Sequence, residues 1–229
     1  MWPPVYSVKK HPRARRVKLR TSLQGLEVIV PLRFNVAHIP DILIQHKDWI
    51  IKKLSAIREH AHDIEQLPNK INLCAINQIW GVEYLSATTK LRLIVRPDQS
   101  IALMGKQDFV TNKKILLSWV KSQAKLHLSL ALDAVSREIK LPYEKVTIRD
   151  QRTRWGSCSR NKTISLNYKL LFLPSELMRH ILIHELCHTV HLNHSEKFWN
   201  LVAKFDPQWR ENRKAIRQMD GLIPRWISY

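Results

Sequence analysis

Apolar positions along the chain change their period several times, and each change marks an element. Val17, Leu19 and Thr21 alternate with Lys18 and Arg20, and after a turn at Gln24-Gly25 the alternation resumes at Leu26, Val28 and Val30. A period of two marks a strand with one buried face, so a β-hairpin is expected. Over 41–65 the period lengthens. Ile42, His46, Trp49, Ile50, Leu54, Ile57, Ala61 and Ile64 recur at spacings of three and four, one apolar helix face punctuated by Pro40 and Pro68. Four short segments, 70–76, 78–87, 91–95 and 100–104, are rich in Ile, Val, Leu or aromatics and read as strands. A long helix is predicted over about 111–139, with Thr111 as its N-cap and Leu141-Pro142 as its stop. Strands over 145–150 and 163–168 flank a loop at 156–162, and helices fill 175–190, 195–205 and 208–219. Strands come first and helices cluster last without βαβ alternation, so the class is α+β. The expected organisation is an N-terminal β-rich module with one long helix, residues 1–110, and a C-terminal helical region on a small sheet, residues 111–229, or one continuous domain of both.

The chemistry concentrates in His184-Glu185-Leu186-Cys187-His188, an HExxH motif inside a predicted helix. At 100° per residue the two histidines stand 40° apart, one turn apart in height, so both imidazoles reach one tetrahedral ion. Glu185 then flanks the place of a bound water. Ile181, Leu182, Ile183 and Leu186 make the helix apolar and buried, and buried histidines beside a buried acid need a polar reason to exist. A third ligand is required. His191 lies on the same face, but in a straight helix it rises roughly 10.5 Å above His184, too far to share an ion. His194 lies beyond the helix end, where Asn193 tolerates a left-handed turn that folds the chain back, and Ser195 caps the next helix. His194 is therefore the expected third ligand, and Cys187 points into packing. The spacing from His184 to His194 is also that of HExxHxxGxxH, although His191 occupies the glycine position.

Composition adds a partner class and a compartment. Lys plus Arg number 38 against 19 Asp plus Glu, a formal charge of +19. Seven basic residues fall in the first twenty positions and seven more between Lys140 and Lys162. Such an excess points to polyanions, either nucleic acid or nucleotides, or to a solvated basic surface. The 45% hydrophobic content excludes a wholly disordered chain, and 5 Gly exclude a collagen-like one. Three widely spaced cysteines argue against a disulfide framework. No secretory signal or membrane-length apolar run stands out, so a cytoplasmic protein without membrane partners is expected.

The run Arg149-Asp150-Gln151-Arg152-Thr153-Arg154-Trp155-Gly156-Ser157-Cys158-Ser159, followed by Ile164-Ser165-Leu166-Asn167, Pro174, the HELCH segment, Asn193-His194-Ser195 and Phe198-Trp199, resembles the YgjP-like metallopeptidase-domain family. These are zincin-like proteins whose catalytic region also looks like that of SprT-type proteins. The resemblance is dense over 140–209 and looser at Arg13–Arg20, Trp49–Lys53 and Trp80–Leu85. It implies a zincin-like C-terminal region, zinc on His184, His188 and His194, and Glu185 as catalytic acid/base. It also implies that the RWGSCS segment lies beside the metal cleft.

A zinc-dependent hydrolase follows as the expected function, a metallopeptidase whose zinc-bound water is activated by Glu185. An oxyanion donor is needed, and Arg154, Ser157 and His191 all qualify. Arg149, Arg152 and Arg154 are candidate substrate contacts or a solvated strand face, and Trp155 a candidate contact or a core residue. An extended peptide or protein substrate could pair with the strand at 163–167. The alternatives are a metal-dependent nucleoside triphosphate pyrophosphohydrolase, with the arginines on phosphates, and a non-enzymatic nucleic-acid-binding protein with a structural zinc.

Overall fold

A computed structural model of the chain describes residues 2–22, 25–59 and 66–228. The residues divide into two compact units at Gln66/Leu67.

The first unit is built on β1 (Tyr6–Lys10), β2 (Lys18–Ser22) and β3 (Gly25–Val30), with β3 in the middle of the sheet. The alternation at Leu26, Val28 and Val30 buries each of these side chains, and β3 pairs antiparallel with β2 as expected. Of the turn expected at Gln24-Gly25, Gln24 lies outside the described residues. β1 pairs parallel with β3 and was not anticipated. It lies in the basic run, and every residue of it except Tyr6 is exposed, so no alternation announces it.

The helix expected over 41–65 is two helices, α1 (Ile39–Gln45) and α2 (Lys47–Glu59). His46 interrupts them with φ −108° and ψ 16°, its N–H still bonded to the Ile42 carbonyl. The break re-aims the apolar face. Ile39, Leu43, Ile50 and Leu54 are buried against β3, whereas His46 and Trp49 face solvent. Positions 60–65 of the expected helix lie outside the described residues.

The second unit begins with β4 (Lys70–Leu73), β5 (Gln78–Ser86), β6 (Arg92–Arg96) and β7 (Ser100–Gly105), in sheet order β4-β5-β7-β6. The long helix α3 (Phe109–Ile139) follows. Asp108, not Thr111, is its N-cap: the carboxylate accepts the Thr111 backbone N–H at 2.8 Å. Lys140, with φ 58°, closes the helix in the left-handed conformation. Leu116, Val120, Ala124, Leu128 and Leu132 bury one face of α3. A second sheet has the order β8 (Lys145–Arg149), β10 (Thr163–Asn167), β9 (Gly156–Cys158), parallel between β8 and β10 and antiparallel between β10 and β9. Helices α4 (Ser175–Cys187), α5 (Glu196–Phe205), α6 (Trp209–Ile216) and the short α7 (Arg225–Ser228) complete the unit.

The α+β class holds, with three small sheets. A division near residue 110 does not coincide with the compact units. Ile71, Leu73, Ile101 and Leu103 of the four-stranded sheet share one apolar core with α3, with Leu166 of β10 and with Leu182 and Leu186 of α4. Cutting that core would expose both sides of it to water, so the strands at 70–105 belong with the helices that follow. All three cysteines are free. Among the described residues, no helix is long and apolar enough to cross a membrane.

Candidate metal centre

Helix α4 is apolar on most of its circumference: Leu177, Met178, Ile181, Leu182, Ile183, Leu186 and Cys187 are all buried. Its polar residues His180, Glu185 and His188 are buried with them. The helix ends at Cys187 with His188 as C-cap, three residues before the expected end at 190. The reversal uses no left-handed residue at Asn193. Instead, the N–H groups of Thr189, Val190 and His191 fold onto the carbonyls of Leu186 and Cys187, satisfying the helix's last acceptors. Ser195 occupies the N-cap position of α5 but makes no side-chain cap bond.

This tight reversal carries His194 back to the helix. Its Nε2 lies 3.1 Å from Nε2 of His184, and Nε2 of His188 lies 3.2 Å from the same atom. These three are the group among the described residues that could hold a metal ion. The nitrogens themselves test the fit. Ligands at 2.0–2.1 Å around a tetrahedral ion stand about 3.3–3.4 Å apart, close to the spacings found here. His188 Nδ1 is 2.9 Å from the His191 carbonyl, which only accepts, so the proton sits on Nδ1 and the lone pair of Nε2 faces its neighbours. Burial, then the adjacent imidazoles, pull His184 down to about 3. Burial is also the main cause of the lowered pKa of His188 and His194. Three bare nitrogens turned toward one point repel each other unless a cation lies between them. The residues fit a metal. Phe198, fully buried, supports the cluster from behind, its ring stacked on His188 with centroids 4.4 Å apart.

Glu185 is 4% exposed, and its Oε2 has no hydrogen-bond partner among the described residues. Burial pushes the carboxyl up to about 8, and the nearby Arg154 charge opposes that rise. Its other side rests on β9. A Cβ at Gly156 would lie 2.6 Å from Oε1, 2.7 Å from Cγ and 2.8 Å from Cδ of Glu185, so only glycine leaves the acid its place. Beside these groups is a cavity of about 190 Å³ lined by Trp155, Gly156, His180, Ile181, His184, Glu185, Trp199, Arg213 and Ile216.

The sequence candidates distribute unevenly around this cavity. Trp155 lines it, and Arg154 faces solvent while its charge reaches Glu185. Arg149 and Arg152 are exposed and outside the lining. Ser157 sits on β9 opposite Ser165, and His191 engages His188 through its backbone carbonyl. The strand expected to receive a peptide, β10, is paired on both sides, which leaves β9 at the sheet edge. Gly156, His180, Asp206 and Arg213 escaped sequence reasoning. His180 does stand four residues before His184, a spacing that repeats the HExxH step. Its Nδ1 lies 2.5 Å from an Asp206 carboxylate oxygen, and Asn212 donates to the same carboxylate.

The sequence profile described as YgjP-like, metallopeptidase domain, matches residues 15–219, nearly the whole chain. The chain belongs to the YgjP-like metallopeptidase-domain family. Membership makes it a metal-dependent peptidase at the level of the family, and a metallopeptidase domain implies a divalent metal. No curated protein matches this YgjP-like chain. Among solved structures, the crystal structure of the metallopeptidase zymogen of Pyrococcus abyssi abylysin matches at 28% identity, covering 41% of this chain and 95% of that one, with a TM-score of 0.38.

Proposed function

We propose that the protein is a zinc-dependent metallopeptidase in which His184, His188 and His194 hold the ion and Glu185 is the general base and then the general acid. The observation that carries this reading is the convergence of three Nε2 atoms next to a buried carboxyl with an unpartnered oxygen. Imidazole donors suit zinc, and three neutral ligands leave the ion its full charge. Zinc held there supplies Lewis acidity and brings the pKa of water toward neutrality.

The chain's own groups do the rest. The His191 carbonyl fixes the tautomer of His188, and Phe198 keeps its ring in place. Glu185, with a pKa near the working pH, takes a proton from the attacking water and returns it to the leaving amine. Its free Oε2 is the atom that accepts that proton. Gly156 keeps this carboxyl against β9. The edge of β9 offers backbone groups to an extended peptide, so that the scissile bond runs past Glu185.

The donor set disfavours a triphosphate hydrolase. Phosphoryl transfer relies on hard cations bound by several carboxylates, and the cavity is lined by one. The test combines elemental analysis with hydrolysis assays. Stoichiometric zinc, cleavage of unfolded casein, and loss of cleavage but not of zinc in Glu185→Gln are the expected results. Cleavage of nucleoside triphosphates alone would sink the peptidase reading. A protein that binds no metal under metal-replete conditions would sink the whole site.

A further inference from the structure

The cavity lining carries a cation that the proposed chemistry does not use, Arg213. The Arg213 guanidinium lies over the Trp199 ring, 4.6 Å from its centroid, and Trp199 stacks on Trp209 with centroids 4.5 Å apart and planes 17° from parallel. Stacking on this platform fixes the plane of the guanidinium and leaves its N–H edge free to donate. No described carboxylate pairs with it. Asp206, just before the helix that carries Arg213, is engaged by His180 and Asn212.

Arg213 is exposed to solvent and lines the same cavity as His184 and Glu185. The one carboxylate in that lining is Glu185, which the proposed chemistry engages as base and acid, so the Arg213 guanidinium is left to meet an anion that enters from outside. Beside the polar His180, His184 and Glu185, the lining offers the apolar faces of Trp155, Ile181, Trp199 and Ile216, so the entering group is a carboxylate on a hydrocarbon stem.

We propose that this cavity is a carboxylate subsite, with Arg213 as its anchor and Trp199 as the platform that holds the anchor. It selects peptides bearing a carboxylate next to the scissile bond, supplied by an acidic side chain or by the chain terminus. The inference rests on the metallopeptidase reading for its substrate class, whereas the cation and cavity stand independently of it.

The test is binding to zinc-loaded Glu185→Gln protein, in which turnover is blocked, by isothermal titration calorimetry. Three probes are used: acetyl-AAEAA-amide, acetyl-AAQAA-amide, and acetyl-AAQAA with a free C-terminal carboxylate. At least one carboxylated probe binds about tenfold or more tighter than the neutral amide. The tighter one identifies the source, side chain or terminus. Adding Arg213→Gln removes the difference while bound zinc is unchanged, and Arg213→Lys restores part of it. Equal binding of all three probes, or discrimination that survives Arg213→Gln, overturns the proposal. So does Arg213-dependent binding of ATP without binding of any peptide. Zinc content of the same samples is a separate readout. Protein without zinc would fail the metallopeptidase reading, while Arg213-dependent discrimination in that protein would still support the subsite.

Discussion

Gly156→Ala is predicted to change the sign of its effect with the residue at 185. In the wild-type background the new methyl meets three Glu185 atoms at 2.6–2.8 Å, short of ordinary contact by about 0.6–0.8 Å. Turning the carboxylate does not clear it, because Cγ is among the three. Glu185 is also almost fully enclosed, so either the acid or β9 must shift. Overpacking of this kind costs about 1–3 kcal/mol. In a Glu185→Ala background the clash is gone. Gly156 has no positive φ, so alanine is unstrained there and restricts the unfolded chain, stabilising by about 0.4–1 kcal/mol. The double-mutant cycle should therefore return a coupling of roughly 1.5–4 kcal/mol. Urea denaturation of the four proteins in EDTA measures it, with the chelator keeping metal affinity out of the comparison. In the zinc-loaded enzyme the same substitution should lower kcat about 100-fold, since the base sits most of an ångström from its place. Equal stability changes in both backgrounds would refute the contact. A wild-type rate in Gly156→Ala would refute its role in placing the acid.

The remaining predictions separate the parts of the site. In EDTA, stability should fall as pH rises from about 6.5 to 8. The folded protein keeps the Glu185 proton up to about 8, whereas the unfolded carboxyl has lost it above its ordinary value of 4.5, a slope of about 1.4 kcal/mol per unit. Glu185→Gln should remove that decline in thermal melts, and an unchanged decline would reject it. Below 6.5 the sign reverses. The unfolded imidazoles of His184, His188 and His194 take up protons that the folded ones, all lowered by burial, resist. Together they outweigh the single proton that folded Glu185 retains, so stability is lost as pH falls. His194→Ala should weaken zinc binding at least ~100-fold in competition with a chelator, while His191→Ala, whose contact is a backbone carbonyl, should stay within a few-fold. Equal losses would place the third ligand elsewhere. Phe198→Ala, which empties a fully buried ring site behind His188, should cost about 3–5 kcal/mol by denaturation.

What was legible in the sequence is what depends on neighbours along the chain. His184 and His188 converge because four residues make about one helical turn, and His194 is in reach because ten residues suffice to leave a helix and return. The route differed from the expected one, since backbone bonds to Leu186 and Cys187 made a left-handed Asn193 unnecessary. Features that depend on pairing across the fold were not legible. β9 is three residues, Gly-Ser-Cys, with no strand propensity to announce it, and it is a strand only because β10 lies beside it. The strands at 70–105 look like an N-terminal module until their buried faces are seen to share a core with α3 and α4.

The site combines both kinds of determinant, which bears on where its specificity resides. The local part, two histidines and a glutamate on one helix with a third histidine close behind, is sufficient for a metal and a base. It says nothing about what enters the cavity. Gly156, the His180–Asp206 pair and Arg213 reach the site from β9, from α4 bound to the turn after α5, and from α6, and each depends on tertiary docking. Asp206 lies within the dense stretch that ends at Trp209 and Arg213 just beyond it, and both make contacts around Trp199 and Trp209. Substitutions there can alter which substrates fit without touching the metal. The +19 charge acquires its sharpest meaning at that point: the exposed Arg213 guanidinium lines the cavity beside the metal-binding cluster and acts on a substrate at contact distance, well inside a Debye length.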